Sequence, residues 1–475
     1  MNKNENTKNM KNVAMVISSN VLTIAVALFT GFILPIQLGI SDYAYYRVYL
    51  LYISYAGFFH FGLVNGIYLK YGNLNLEKIP KKIFRAYSWF MIGLQLVVVI
   101  ALTLAVFAGS FFMDVNKTIA YVFVIVNIPL VNIKWFYSSI NQFTKRFVID
   151  SYVTYLQNAL NLLTVLIISW MKWYNFIYLL VFITVINLTC MLITIHQNRM
   201  LLWGEREHWK NAGIPSLIKG GFFLMLSEFV GIIILGIDSM FVEHLFSQND
   251  FAMYSFAVSI VSVIYTLISA ISNLIYPYLV RVSEKKYAEY YTLMSDVLTV
   301  VCIFSMLAFY VAEFIVSKFM SIYMPSIAIV SILFGTIIFR TIIMLVCGNY
   351  FKVLKLVKEY TKNNVFAIVI SFVLNVVAYV MFKDYRYIAV ASLMSFIIWY
   401  IVTDALFIRQ MKISIVGCIP RYLCIIISLT AFYATVKMEP IPAFFLYLVL
   451  ACVVCFLCFF KQIKKVIKMI AEKRR

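Results

Sequence analysis

Residues 13–34 read VAMVISSNVLTIAVALFTGFIL, twenty-two positions without a charge. A run of about twenty apolar residues is what a helix needs to cross the roughly 30 Å hydrocarbon core of a bilayer. Runs of this kind recur to the C-terminus. Barrel strands would instead alternate apolar and polar residues over about ten positions. Of the 475 residues, 63% are hydrophobic and 13% charged, too little polar surface to keep a water-soluble chain of this size dispersed. In hydrocarbon every backbone N–H and C=O must be satisfied within the protein, so the spans are helices.

Fourteen spans are expected, near 13–34, 46–69, 84–108, 119–140, 151–171, 174–195, 217–242, 251–278, 291–316, 325–348, 363–382, 387–408, 422–436 and 441–460. The first is too long for a typical signal-peptide core and is read as a retained span. With the N-terminus cytoplasmic, thirty-one Lys and Arg fall in cytoplasmic segments. Seven fall outside, namely Arg47, Lys117, Lys172, Lys318, Lys383, Arg386 and Lys437, and two, Lys134 and Arg340, lie within spans. The positive-inside rule then places both termini in the cytoplasm. The net charge of +20 is spread over many loops and is no nucleic-acid patch. Beyond Lys461, Ile463, Val466, Ile467 and Ile470 recur at helical spacing among lysines, the pattern of a basic helix lying on anionic lipid.

Shifted by 208 residues, the chain matches itself. Asp42-Tyr43-Ala44-Tyr45-Tyr46 falls on Asp250-Phe251-Ala252-Met253-Tyr254, Asn65 on Asn273, Tyr68 on Tyr276 and Asn141 on Asn349. Spans 1–6 fall on spans 7–12, and six spans per half make the repeat parallel. Such repeats are a transporter architecture, with the substrate site near the repeat interface. The fold expected is all-α and integral to the membrane: two six-helix bundles (1–195 and 217–408), a cytoplasmic linker (196–216), and two added helices with a basic tail (409–475).

Charges within spans are costly and usually face a cavity or a partner. Lys134 in span 4 and Arg340 in span 10 occupy nearly equivalent places in the two halves, and together would suit a phosphate or pyrophosphate headgroup. His60, near mid-span 2, could bind a sugar hydroxyl or a proton, or serve as a hydrogen-bonded structural residue, and Arg47 could guide an anionic headgroup outward or anchor span 2 at the interface. Glu228 and Asp238 in span 7 are candidates for coupling or counter-ion roles, with Asp238 expected to be more easily hydrated. Asp296 and Asp404 are expected to be solvated near cytoplasmic ends. Asn20, Asn65, Asn132, Asn158, Asn161, Asn273 and Asn375 are polar groups that glue helices or bind sugar. Tyr43, Tyr45, Tyr46, Tyr276 and Tyr278 read as an interfacial belt. The eight cysteines sit in or beside apolar runs, and the Cys452, Cys455 and Cys458 stripe reads as packing rather than metal ligation.

No Walker A loop, H-E-x-x-H pair or G-x-S-x-G elbow is present. With external loops this short, a transporter is expected and an enzyme is not.

Gly213-Ile214-Pro215 through Lys219-Gly220-Gly221, then Gly236-Ile237-Asp238 and Asp250-Phe251-Ala252-Met253-Tyr254-Ser255-Phe256-Ala257, together with Phe61-Gly62-Leu63-Val64-Asn65-Gly66-Ile67, resemble oligosaccharide-lipid flippases. These belong to the multidrug/oligosaccharidyl-lipid/polysaccharide exporter superfamily. The resemblance implies a V-shaped pair of bundles and a cationic cavity. It implies export of an undecaprenyl-pyrophosphate oligosaccharide across the bacterial inner membrane for O-antigen or capsule synthesis, with a polymerase and a chain-length regulator as partners. No cofactor is expected, and coupling would be to a proton or sodium gradient. A cation-coupled multidrug exporter of the same superfamily is the alternative. A membrane enzyme or a scaffold of polysaccharide assembly is the reading from outside that class.

Overall fold

The structure is a computed structural model that describes residues 3–72, 74–110, 114–269, 279 and 282–473. Among these there is no β-strand. Twelve helices are long and apolar enough to cross a membrane, and a thirteenth span is the bent pair Ile214–Leu226 and Phe229–Leu245. The expected fourteenth is hidden in the first helix. Helix α1, Lys3–Ile53, takes in the first expected span and the start of the second, interrupted only at Gly39 (φ 69°, ψ 177°).

Side-chain pairings show what Gly39 does. Ser18 bonds Tyr155 and Gln37 bonds Ser169, so the first leg rises alongside the helix Phe147–Met171 (α5). Tyr52 then packs on Tyr121, and Asn132 reaches Ala56, so the second leg descends beside the helix Val115–Phe143 (α4). The chain reverses between them at a positive φ that glycine adopts without steric cost. Tyr43 and Tyr45 lie in this turn but are buried, with Tyr45 packed on Phe176.

The chain forms two compact units, Met1–Gly236 and Ile237–Arg475. The 208-residue repeat is visible in their caps. Helix α4 ends at Lys145 (φ 62°), where Arg146 N–H bonds Asn141 O at 2.7 Å. In the second unit Lys355 (φ 57°) does the same, with Leu356 N–H on Phe351 O at 2.9 Å. These are Schellman closures of otherwise orphaned carbonyls, with lysine in the left-handed position that glycine usually takes. Lys172 (φ 54°) and Lys383 (φ 51°) end the next pair of helices, also in the left-handed region. Asn175 and Asp384 then cap the helices that follow, each accepting a backbone N–H two residues on, at 2.8 and 2.9 Å.

The linker between the two sets of spans is pinned to the start of the helix Lys81–Ser110 (α3). Arg85 donates to Met200 O, Ser88 to Leu201 O, Trp89 to Leu202 O and Tyr87 to Ala212 O. At its exposed edge Lys82 lies 2.7 Å from Glu205 and holds that carboxyl below its ordinary value. Such an exposed pair adds little stability.

Within the first unit the second span meets the seventh through glycines. Gly62 and Gly66 form a G-x-x-x-G step, and Gly221 faces them. A Cβ on Gly66 would lie 2.1 Å from Leu217 O, and one on Gly221 would lie 2.1 Å from Gly62 O. Small residues let helix backbones approach this closely in membranes. Gly66→Ala and Gly221→Ala must force the helices apart and should each cost about 1–3 kcal/mol. Gly93→Ala, which meets nothing within 4 Å, should be neutral or raise stability by roughly 0.5–1 kcal/mol. Thermal unfolding of the three variants in detergent checks this ordering.

Candidate functional site

Span 2 is not one helix. A 3₁₀ turn at Ala56–His60 is followed by Phe61 and Gly62, both left-handed, and a new helix, Leu63–Tyr71 (α2). Such a break frees backbone groups where no water can take them. Gln95 of α3 donates to Phe59 O at 3.0 Å, and Asn132 of α4 donates to Ala56 O at 2.9 Å. The two amides are themselves linked, Asn132 N–H to Gln95 Oε1 at 3.1 Å. His60 is 1% exposed, and its Nδ1 accepts the Gly62 N–H at 3.0 Å. The neutral ring therefore carries its proton on Nε2, which lies beside Trp135 and has no hydrogen-bond partner. Irregular backbone inside a bilayer is tolerated where it is buried in protein or lines a cavity, and broken helices mark transporter sites. Asn65 is buried on α2, one residue from the Gly66 contact. Arg47 is half-buried, its guanidinium 5.9 Å from the Tyr43 ring centroid.

Lys134 faces a cavity of about 440 Å³ inside the first unit. Thr23, Thr30 and Tyr46 line it from α1, Gln157, Asn158 and Asn161 from α5. Asn187 lines it from the helix Phe176–Gln197 (α6). The ammonium donates to Gln157 Oε1 at 2.9 Å. Asn158 is fixed by Thr23 Oγ1 at 2.8 Å, and Asn187 by Asn127 Oδ1 at 2.8 Å. Of the asparagines expected to glue helices or bind sugar, Asn132 holds the break in span 2, Asn158 and Asn161 line the cavity, and Asn375 bonds its own helix at Ser371 O.

The second unit handles its charges differently. Arg340 stacks on Tyr265, its guanidinium carbon 3.6 Å from the ring centroid. Asp238 is only 6% exposed, where easy hydration was expected. One carboxylate oxygen accepts from Tyr254 and Ser392, each at 2.8 Å, and the other accepts the Ser239 N–H at 2.7 Å. The side chain of Glu228 and all of Asn273, Tyr276 and Tyr278 lie outside the described residues, as do the side chains of the basic tail.

A buried charge cluster went unread in the sequence. Asp296 and Asp404, expected to be solvated, are 3% and 0% exposed. Arg421, expected at the edge of the thirteenth span, is 0% exposed inside the helix Ile415–Thr435. It donates to Asp404 at 3.0 Å and lies 3.6 Å from Asp296. Tyr291 donates to Asp404 at 2.6 Å, and Tyr422 also donates to it. The three charged residues come from three helices and show no local spacing, and only their scarcity in apolar sequence could have drawn attention. Among the described residues no group of three or more metal-type ligands converges.

No protein-family model and no curated protein sequence matches the chain. Solved structures do. The lipid II flippase MurJ in an inward closed conformation aligns over 96% of this chain and 100% of its own, with a TM-score of 0.71 and 12% identity. The chain shares that fold. An outward-facing multidrug-resistance MATE family transporter of the MOP superfamily covers 84% of this chain and 94% of its own, at TM-score 0.51 and 11% identity. A MOP superfamily transporter from Pyrococcus furiosus, described as having reverse polarity of its binding pocket, covers 85% and 97%, at 0.51 and 11%. The likeness to MurJ takes in the added helices Ile415–Thr435 and Pro440–Lys473, since it runs the length of both chains.

Removing one partner of a buried ion pair leaves an uncompensated charge and costs about 3–5 kcal/mol. Arg421→Met should therefore destabilise strongly, and adding Asp404→Asn to it should recover part of the loss. Melting temperatures of the single and double variants in detergent measure the difference.

Proposed function

We propose that this chain is a flippase that carries a lipid-linked oligosaccharide, of the undecaprenyl-pyrophosphate class, from the cytoplasmic to the outer leaflet of the bacterial inner membrane. The product would feed synthesis of a surface polysaccharide such as O-antigen or capsule, and a polymerase and a chain-length regulator would act after it. Both termini would be cytoplasmic. The observation that carries the reading is the full-length likeness to a lipid II flippase, joined by a lysine set in a polar intramembrane cavity. A cation there favours an anionic headgroup, whereas an amphipathic cationic drug favours acidic walls.

Transport would proceed by alternating access. Lys134 and Arg340 would each neutralise headgroup charge, while the polyprenyl chain stays in lipid. An apolar groove of about 890 Å³ in the second unit, with Arg409 and Lys412 among its lining, offers room for hydrocarbon. Coupling to a proton or sodium gradient would run through Asp238 and Glu228. His60 would serve at the break in span 2.

Deleting the gene in the native host, with the first sugar transfer under control, should accumulate the lipid-linked oligosaccharide and abolish the matching polymer. The wild-type gene should reverse both. Unchanged lipids and polymer, with no redundant flippase present, would move the reading to drug export. Lys134→Gln and Arg340→Gln should each lower polymer export in the complemented strain by about tenfold, the worth of roughly 1.4 kcal/mol. Normal export in both variants would remove the two cations from the mechanism.

A further inference from the structure

We propose that the cavity inside the first unit binds an acidic sugar, with the sugar's carboxylate or phosphate on Lys134 and its hydroxyls on the surrounding amides. The proposal rests on the flippase reading and narrows it to oligosaccharides that carry an acidic residue.

Lys134 is the starting point. An ammonium offers three donors, and the one hydrogen-bond partner of Lys134 among the described residues is Gln157. Among those residues it makes no ion pair. Asp150, the acid that acts on it electrostatically, is held by Asn141 at 3.0 Å. A half-buried cation that makes no ion pair is incompletely neutralised, and an anion arriving in the cavity would complete it.

The size and walls of the cavity identify the rest of the ligand. A volume of about 440 Å³ would hold on the order of fifteen waters at about 30 Å³ each, far more than a halide or a bare oxyanion fills. It falls in the range of small-molecule sites, about 300–1,000 Å³. Such sites combine apolar walls with a few placed polar groups. Here ten of nineteen lining residues carry a hydrogen-bonding side chain, all but Lys134 uncharged amides or hydroxyls, and the rest are aliphatic. The amides and hydroxyls suit a sugar's hydroxyls, and the aliphatic wall suits its C–H face. Asn158 and Asn187 are anchored by their neighbours, so little side-chain freedom is lost when a ligand binds.

The test uses the full-length protein in lipid nanodiscs, with glucuronate, glucose and inorganic phosphate as probes and calorimetric titration as readout. Glucuronate should bind at least about tenfold more tightly than glucose and more tightly than phosphate. Lys134→Met should abolish the preference for glucuronate, and Lys134→Arg should keep it. If Lys134→Met does not fold, Gln157→Leu serves beside Lys134→Arg and should weaken glucuronate binding by about threefold or more. Equal binding of glucuronate and glucose would overturn the proposal, as would phosphate binding as tightly as glucuronate, or no binding of any probe at about 50 mM. None of these measurements depends on transport. A deletion strain with unchanged lipid intermediates would refute the flippase reading even if glucuronate binds, and accumulation without binding would refute the acidic sugar alone.

Discussion

Hydrocarbon offers no hydrogen bonds, and this constraint governs nearly every feature of the chain. It makes each span a helix, and it decides what happens where a helix stops. The break at residues 56–62 would expose carbonyls to a medium unable to solvate them, at several kcal/mol each. Gln95 and Asn132 supply the missing donors from two other spans. A 3₁₀ turn and two left-handed residues thus become a stable part of the first unit. The same rule acts at the helix ends. Lys145 and Lys355 turn the backbone back so that the last carbonyls are bonded before the next helix begins.

The fold could be read from the sequence because its cause is crude. Twenty apolar residues in a row mean a span whatever their neighbours, and the 208-residue repeat needs only matching order. The first two spans run together because their division rests on one residue, Gly39, whose positive φ turns the chain without breaking the hydrogen-bonded run on either side. The contact of Gly62 and Gly66 with Gly221 was present in the sequence as small residues at helical spacing. Its partner, however, lies some 155 residues away, and only tertiary structure joins them.

The sites were less legible. Residue type singled out Lys134, Arg340 and Asp238, since ions are rare in spans. Surroundings were beyond reach, because desolvation depends on which helices pack around a group. Asp404 lies six residues from the end of its helix, Tyr385–Gln410, where water is the natural expectation. The packing of the added helix Ile415–Thr435 seals it, and Arg421 comes from that helix. A carboxylate and a guanidinium that each look solvated in isolation exclude water from one another. Replacing such a pair by apolar residues is often neutral or stabilising, so the cluster is weak evidence for stability and better evidence of a constraint on how the added helix docks.

The two halves share a fold but not a chemistry, and the difference bears on function. Asn132 and Arg340 stand at equivalent places in the repeat. One is an amide mending a broken span, and the other is a cation stacked on Tyr265. Lys134, two positions on from Asn132, puts the first unit's cation among amides and hydroxyls. In the second unit the buried acids are met by tyrosine, serine or arginine. A repeat kept only for packing would have no reason to set one cation on a cavity wall while stacking the other on an aromatic ring. A half-buried ammonium without an ion pair is stabilised when an anion supplies the missing charge for part of the time. For a protein whose fold is that of transporters, a ligand that arrives and departs meets that requirement, and a fixed carboxylate in the cavity would have removed it.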